Sequence, residues 1–421
     1  MKRVSMVYII VLIYLQSCTS PTAISSGAAP EIDNLSAVTA APSVQTTPLI
    51  SSEESALPKN CLNIRQNDYQ QETLSNSRLI IDNREVSSEG GRYLPGVFAL
   101  DLATSQKIRI DHSGEAFLDI SASPDKDLIA YELFIEPNTH KLVISNTDFQ
   151  PKKIVDWKSE WDRLMGWSDE SHVLFTKHRD LEPDEHFYTT PSEIIILDIN
   201  TLSEKIQTPD FPSMYDFPPL PMWGTVEYNL NFDKAIYMRW TNENRSSYGY
   251  ALWDMRNNKE LNFQKIVGAP TPRWSPDGSF VITSGLIDTN AYELFAIYDN
   301  GQIKQLTNFG KYFLNPEVYN FSWSPNGRYL AILLKEEFSD PKATLFLLNI
   351  ETGVLTNYCI TVTIQSDKYS NPFVPLWSPN SNELVVQNWY SIDHRRIILI
   401  NISDNYAIDL AEDVEPLAWL K

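Results

Sequence analysis

Metal binding is the chemistry suggested by the histidines of this chain, which are concentrated in one segment. Three of the six lie at His172, His178 and His186, with the carboxylates of Glu182, Asp184 and Glu185 nearby. Catalytic zinc commonly takes three protein ligands that converge from ordered elements. His178 and His186 instead belong to a long polar stretch, 178–191, which reads as a solvated loop. We therefore predict no metal site.

One serine stands in a sequence that approaches the nucleophile elbow G-x-S-x-G of hydrolases. Around Ser168 the sequence is GWSDE, which lacks the second glycine, and no stretch remains for a separate α/β-hydrolase domain. The glycine-rich phosphate-binding motifs and the calcium loop D-x-[DN]-x-[DN]-G are also missing from the sequence. We predict no catalytic residue and no cofactor.

Aromatic residues gather in three long connecting segments, 208–223, 308–321 and 360–373. Aromatic side chains and arginine are enriched at protein-binding hot spots, and flat rings also stack on sugars. The alternative is that these rings only pack the long loops. As a candidate binding face we name Tyr215, Asp216, Trp240, Tyr312, Tyr369, Trp389 and Arg395.

The charge of the chain restricts the partners of such a face. It has 34 Lys and Arg against 54 Asp and Glu, a formal net charge of −20. A surface this acidic repels phosphate backbones and anionic lipid surfaces. We expect a protein or a cell-envelope glycan as partner, no nucleic acid, and a monomer.

The N-terminus reads as an export signal. Lys2 and Arg3 precede the apolar run 4–15, which is shorter than the about 20 residues that span a bilayer. The following LQSC resembles the lipobox of bacterial lipoproteins, which implies cleavage before Cys18 and lipidation of its thiol. A plain secretory signal or an uncleaved anchor are the alternatives. The resemblance implies a membrane-anchored protein that faces the periplasm or the cell surface.

The next segment is predicted to be a disordered tether. Residues 19–60 contain 8 Ser, 5 Thr, 5 Pro and 7 Ala and no aromatic residue, so they bury too little apolar surface to offset the entropy of ordering. The predicted organisation is a signal peptide at 1–17, a lipidated cysteine with its tether at 18–60, and a folded domain at 61–421.

The folded domain is built from a repeat. RWSPDGSFVITS at 273–284 recurs as SWSPNGRYLAIL at 322–333 and LWSPNSNELVVQ at 376–387, with three weaker copies upstream. In Ser-Pro-Asp-Gly, Pro276 suits the second and Gly278 the fourth position of a type I turn, and β-formers resume at once. The tryptophan before each turn suits stacking of one sheet on the next.

The number of repeats predicts a closed ring. A second pattern, apolar strand, turn and short strand, occurs seven times, whereas the turn pattern occurs six times internally. The final PLAWLK resembles the start of a repeat and 74–83 its continuation. We predict that strand 416–421 closes the blade formed by 74–110, which gives an all-β, seven-bladed β-propeller. Six or eight blades are the alternatives.

The W-S-P-[DN]-[GS] copies resemble the TolB-type, WD-repeat-like propeller repeats of exported bacterial proteins, over roughly 74–421. That resemblance implies a non-catalytic binding or scaffold module. A propeller enzyme acting on glycans or peptides through acid and base carboxylates in the channel is the alternative.

Two thiols remain after lipidation of Cys18, at Cys61 and Cys359. Outside the cytosol such a pair can oxidise. A bond between them would fasten the N-terminal approach to the propeller rim. The two cysteines belong to distant parts of the sequence, so both the bonded and the free state stay open.

Overall fold

Where the repeat motif occurs, it forms a tight turn between the first two strands of its sheet. In the computed structural model of the chain, the Gly278 N–H donates to the Ser275 carbonyl at 2.8 Å, and Gly327 repeats this bond with Ser324. Both glycines have a φ of +69°, a conformation that costs glycine little. The turn predicted from Ser-Pro-Asp-Gly is confirmed.

The serine that opens each turn also ties its two strands together. The buried Ser324 hydroxyl accepts the Tyr329 N–H at 2.8 Å and donates to Asn326 Oδ1 at 2.8 Å. In a degenerate copy Asn229 replaces the serine, and its Oδ1 accepts the Lys234 N–H at 3.0 Å. This weaker repeat therefore keeps the side-chain hydrogen bond across the turn, although it lacks the Ser-Pro sequence.

The structure describes eighteen stretches of the chain: 57–65, 77–86, 93–104, 106–110, 115–125, 127–135, 139–157, 163–177, 193–207, 226–229, 231, 233–240, 248–264, 272–286, 291–337, 339–364, 374–389 and 394–420. All of them belong to one compact unit, Pro42–Lys421. No helix in these stretches is long and apolar enough to cross a bilayer.

The strands follow one another in chain order with one short 3-10 helix, Phe309–Lys311, before β21. They are β1 Ile64–Arg65, β2 Arg78–Val86, β3 Tyr93–Asp101, β4 Lys107–Arg109, β5 Glu115–Ala122, β6 Leu128–Ile135, β7 Thr139–Asn146, β8 Pro151–Asp156, β9 Arg163–Asp169, β10 His172–Lys177, β11 Glu193–Asp198, β12 Glu204–Gln207, β13 Val226–Tyr228, β14 Lys234–Trp240 and β15 Tyr248–Asp254. The later ones are β16 Lys259–Gln264, β17 Arg273–Trp274, β18 Phe280–Leu286, β19 Tyr292–Tyr298, β20 Ile303–Gln305, β21 Glu317–Trp323, β22 Tyr329–Lys335, β23 Lys342–Asn349, β24 Leu355–Thr363, β25 Leu376–Trp377, β26 Glu383–Trp389, β27 Arg395–Asn401, β28 Tyr406–Glu412 and β29 Val414–Leu420.

These strands form seven sheets, the blades of the propeller. Blade 1 has the order β29-β2-β3-β4, blades 2 to 6 are the successive meanders β5–β8 through β21–β24, and blade 7 is β25–β28 with β1 added at its edge. The seven-bladed fold is therefore confirmed, and the alternatives of six and eight blades are excluded.

The last strand closes the ring as predicted. In β29, Trp419 pairs with Leu79 and Ala418 with Ile80, in antiparallel register. The Trp419 Nε1–H also donates to the Ser77 hydroxyl at 2.8 Å. The first and last strands of the ring thus share one sheet, and their pairing closes the circle of blades.

The hydrophobic core lies between the blades. One cluster joins Leu79 and Ile81 of blade 1 to Val385 and Ile397 of blade 7, and similar clusters join other neighbours. First strands of adjacent blades contact one another, for example β29 with β5 and β21 with β25. The first strands therefore form the inner ring around the central channel, and the fourth strands form the rim.

Three of the repeat tryptophans join successive blades through their indole N–H groups. Trp274 Nε1 donates to the Glu227 carbonyl at 3.0 Å, and Trp167 and Trp377 reach the preceding blade at Ser121 and Ser322. The position thus supplies a directed hydrogen bond as well as the flat surface expected from the sequence.

The N-terminal segment lies along the rim of blades 6 and 7. Asn60 N–H donates to the Asn357 carbonyl at 2.8 Å, and β1 pairs in parallel with β28 through Ile64 and Ala407. Cys61 and Cys359 form a disulfide, with their Cα atoms 4.8 Å apart. The first described residue, Leu57, packs against the core between blades 5 and 6, so the contacts of this segment include residues before the predicted boundary at 61.

We predict that closure of the ring depends on Trp419. Trp419→Ala should lower the free energy of unfolding by about 3–5 kcal/mol, because it empties a buried site between blades 1 and 7. Trp419→Phe keeps most of the aromatic side chain and removes the hydrogen bond to Ser77, so it should cost about 1 kcal/mol. Urea unfolding followed by tryptophan fluorescence measures both values. Equal losses in the two variants would contradict a packing role.

We further predict that the disulfide protects the N-terminal segment. Cys61→Ala/Cys359→Ala should speed trypsin cleavage after Lys59 and Arg65, because non-covalent contacts alone then hold the segment. The free energy of unfolding should also fall by about 2–4 kcal/mol. Timed digestion with mass spectrometry measures the cleavage. Unchanged cleavage rates with and without reductant would show that the strand pairing holds the segment by itself.

Candidate functional site

The strand order assigns every connection to one of two faces. Because each blade is an antiparallel meander, its tight turns, such as those at Gly278 and Gly327, leave the same side of the ring. The connections from second to third strands, and those from one blade to the next, leave the opposite side. We call these sides the turn face and the loop face.

The described members of the predicted binding face all lie on the loop face. Trp240 ends β14, Trp389 ends β26, Arg395 begins β27, and Tyr312 lies in the connection from β20 to β21. All four positions are at loop-face ends of strands or in loop-face connections. Tyr215, Asp216 and Tyr369 lie outside the described residues, as do Cys18, His178 and His186.

Arg395 lies at the junction between the last blade and the first. Its guanidinium carbon lies 4.8 Å from the centre of the Trp389 ring, and its Nη1 forms an ion pair with the Glu415 carboxylate on β29. The arginine is only 6% exposed. It therefore orients Trp389 and fastens blade 7 to the closing strand, and its charge is compensated inside the fold.

A second charged pair lies on blade 6 at the same face. Lys335 Nζ is 2.7 Å from Glu317 Oε2, and both side chains are less than one-fifth exposed. The ammonium also lies 5.7 Å from the centre of the Tyr319 ring. Burial, with a contribution from the Glu317 charge, raises the pKa of Tyr319 to about 12.

The inner ring holds a third pair. Glu227 on β13 and Arg273 on β17 are 3.6 Å apart between their charged atoms. Burial raises the pKa of Glu227, although the Arg273 charge opposes the shift. A buried carboxyl with a raised pKa is the property required of a general acid, so Glu227 is the described carboxylate that best fits the enzymatic alternative.

His172 lies beside a turn. His172 Nδ1 lies 2.8 Å from the Asp169 carboxylate, at the turn between β9 and β10. Burial alone would raise the pKa of Asp169, but hydrogen bonds from His172 and Ser171 outweigh burial and lower it. Within the described stretches, no three metal-ligating side chains are gathered in one place.

Sequence reasoning overlooked the partners of these groups. Glu317, Lys335 and Glu415 were not singled out, since an isolated charged residue in a strand carries no motif. The one usable signal is position, because each lies at the loop-face end of a repeat strand, where the equivalent side chains of other blades converge.

Comparison with known proteins supports the fold. No protein-family model matches the chain, and no curated protein matches its sequence. Among solved structures, prolyl oligopeptidase B from Galerina marginata matches with a TM-score of 0.51 at 12% identity, over 76% of this chain and 47% of that chain. The acylaminoacyl peptidase of Pyrococcus horikoshii also gives a TM-score of 0.51, at 11% identity, over 80% of this chain and 51% of that chain.

TolB from Acinetobacter baumannii matches over 87% of this chain and 88% of its own, at 14% identity and a TM-score of 0.41. This chain spans about half the length of each of the two peptidases. At these identities the likeness shows the fold alone. The β-propeller expected from the W-S-P repeats is confirmed by the seven sheets of the ring.

We predict that Arg395 and Glu415, the ion pair across the junction of blades 7 and 1, do not contribute independently to the free energy of unfolding. Arg395→Ala removes a buried side chain that contacts Trp389 and leaves the one-third exposed Glu415 without its cation, so it should cost about 1.5–3 kcal/mol of unfolding free energy. Glu415→Ala should cost a similar amount, and the double variant should lose less than the sum of the two. Urea unfolding of all four proteins measures the coupling. Strictly additive losses would show that the two side chains act independently.

Proposed function

We propose that this protein is an exported, lipid-anchored β-propeller that binds a protein or a cell-envelope glycan on its loop face, without catalysing a reaction. Support comes from one observation above all. The strands that flank the long aromatic connections begin or end at the same face, and two described ion pairs there, Lys335–Glu317 and Arg395–Glu415, compensate their own charges. Compensated charges and oriented rings suit rigid recognition better than proton transfer.

The proposed location follows from the N-terminal residues. Cys18 carries the lipid in this proposal, and residues 18–56 form the tether that leads to the ordered segment at Leu57. Cleavage at the signal removes Lys2 and Arg3, so the mature chain is more acidic than the precursor. The lipid is then its sole membrane attachment, since an acidic surface is repelled by anionic headgroups.

Binding at the loop face predicts a specific pattern of variant effects. Trp389→Ala and Tyr312→Ala should each weaken binding to the partner, identified by crosslinking in the native envelope, by about tenfold, because aromatic anchors dominate interface energies. Leu202→Ala, an exposed residue on the turn face, should bind like the wild type. Biolayer interferometry with the purified protein measures the affinities. Equal losses in all three variants would contradict a loop-face site.

The lipid anchor is tested separately. Cys18→Ala should abolish labelling of the protein with palmitate.

A second candidate, a propeller enzyme acting on glycans or peptides, is favoured by Glu227 alone. Its raised pKa and its place in the inner ring fit a channel acid. Incubation with peptidoglycan and glycan panels, followed by chromatography of the products, separates the two functions. Turnover that Glu227→Gln abolishes, with binding retained, would favour the enzyme, whereas binding without products favours the module.

A further inference from the structure

The N-terminal segment shows how the rim of this propeller accepts an extended chain. Its backbone pairs with the outer strand of blade 6 near Asn357 and with that of blade 7 near Ala407. Its leucines enter the grooves between blades, Leu57 between blades 5 and 6 and Leu62 between blades 6 and 7. A five-residue step thus carries the chain across the edge of one blade.

Within the described stretches, blades 1 to 3 present the same kind of edge without such a cover. Their outer strands are β4, β8 and β12, each the last strand of its sheet in the part of the chain that the structure describes. We call these three strands the open rim. β8, at Pro151–Asp156, is the longest of them, and its residues alternate between exposed and half-buried.

Apolar side chains mark the grooves of the open rim. Ile108 pairs with Ala99 and Ile154 with Val143, and both partners belong to the cluster between blades 1 and 2. Directly paired residues point to the same side of a sheet, so both isoleucines lie at the outer end of that groove. By the same argument, Ile206 lies at the groove between blades 2 and 3.

These isoleucines are exposed, in contrast to the covered blades. Ile108, Ile154 and Ile206 are 52%, 48% and 57% exposed, whereas Tyr358 and Ile408, on the outer strands that the N-terminal segment covers, are each 6% exposed. Large apolar side chains that line a groove at an edge strand indicate an interaction surface.

The charge of the open rim points to the chemistry of the occupant. Its strands contain five cationic residues and two acids, whereas in the whole chain acids outnumber bases 54 to 34. The cations are Lys107, Arg109, Lys152, Lys153 and Lys205. Lysines on an edge strand repel a second copy of the same edge and attract an acidic strand.

We propose that the open rim is a docking site for an extended acidic segment of a partner protein, which pairs with β8 as a fifth strand. Two apolar side chains of that segment, five residues apart, enter the grooves on either side of blade 2. Backbone hydrogen bonds and apolar pockets are the recognition mode of strand addition. This site is separate from the loop face and does not depend on the function proposed for it.

The test uses the purified full chain and the fluorescent peptide Glu-Leu-Glu-Asp-Ser-Glu-Leu-Glu, with binding followed by fluorescence anisotropy. Saturable binding is expected, and it should weaken about tenfold in Ile154→Ser and in Lys152→Glu/Lys153→Glu. Leu286→Ser, which removes a 40% exposed residue at the loop-face end of β18, is the matched control and should bind like the wild type. Thermal unfolding of each variant checks that it is folded.

Two further peptides test the two components of recognition. Replacing both leucines by serine should abolish binding, and so should replacing the acids by lysine. No saturable binding of the acidic peptide, or equal binding of all three, would overturn the proposal. Binding to phosphatidylglycerol vesicles, or self-association in the ultracentrifuge, that Ile154→Ser removes would also overturn it, by assigning the rim to a membrane or to a second copy.

Discussion

A four-stranded blade has two apolar faces and cannot cover either of them alone. Every blade of this protein solves the problem through its neighbours, so the core is a series of layers between sheets rather than a single centre. Such an arrangement leaves no exposed end only if the ring is closed. The pairing of β29 with β2 is therefore the constraint on which the other contacts depend, and it joins residues from the two ends of the folded domain.

The closed ring separates the parts that fix the fold from the parts that can vary. Buried turn serines and the indole N–H bonds lie on the turn side and the inner ring, where the repeat motif recurs. The loop-face connections differ in length and composition from blade to blade. A rigid scaffold with variable connections on one side is the usual arrangement for binding surfaces.

The sequence was informative where the chemistry is local. Ser275, Pro276 and Gly278 predict a turn by themselves, and counting such turns leads to seven blades and to closure through Trp419. The partners of charged residues could not be predicted, because Glu415 meets Arg395 only after the ring has closed. The same holds for Leu57, which reads as part of a polar tether until the groove between blades 5 and 6 is known.

The position of the N-terminal segment has a consequence for access. The chain enters the ring through the rim of blades 6 and 7, where the Cys61–Cys359 bond and the pairing of β1 fasten it. The segment that starts at Leu57 is therefore fastened at the side of the propeller, on the outer strands of blades 6 and 7. Its described backbone pairing and its disulfide use none of the loop-face ends of the strands, so they do not compete with a partner that binds the loop face.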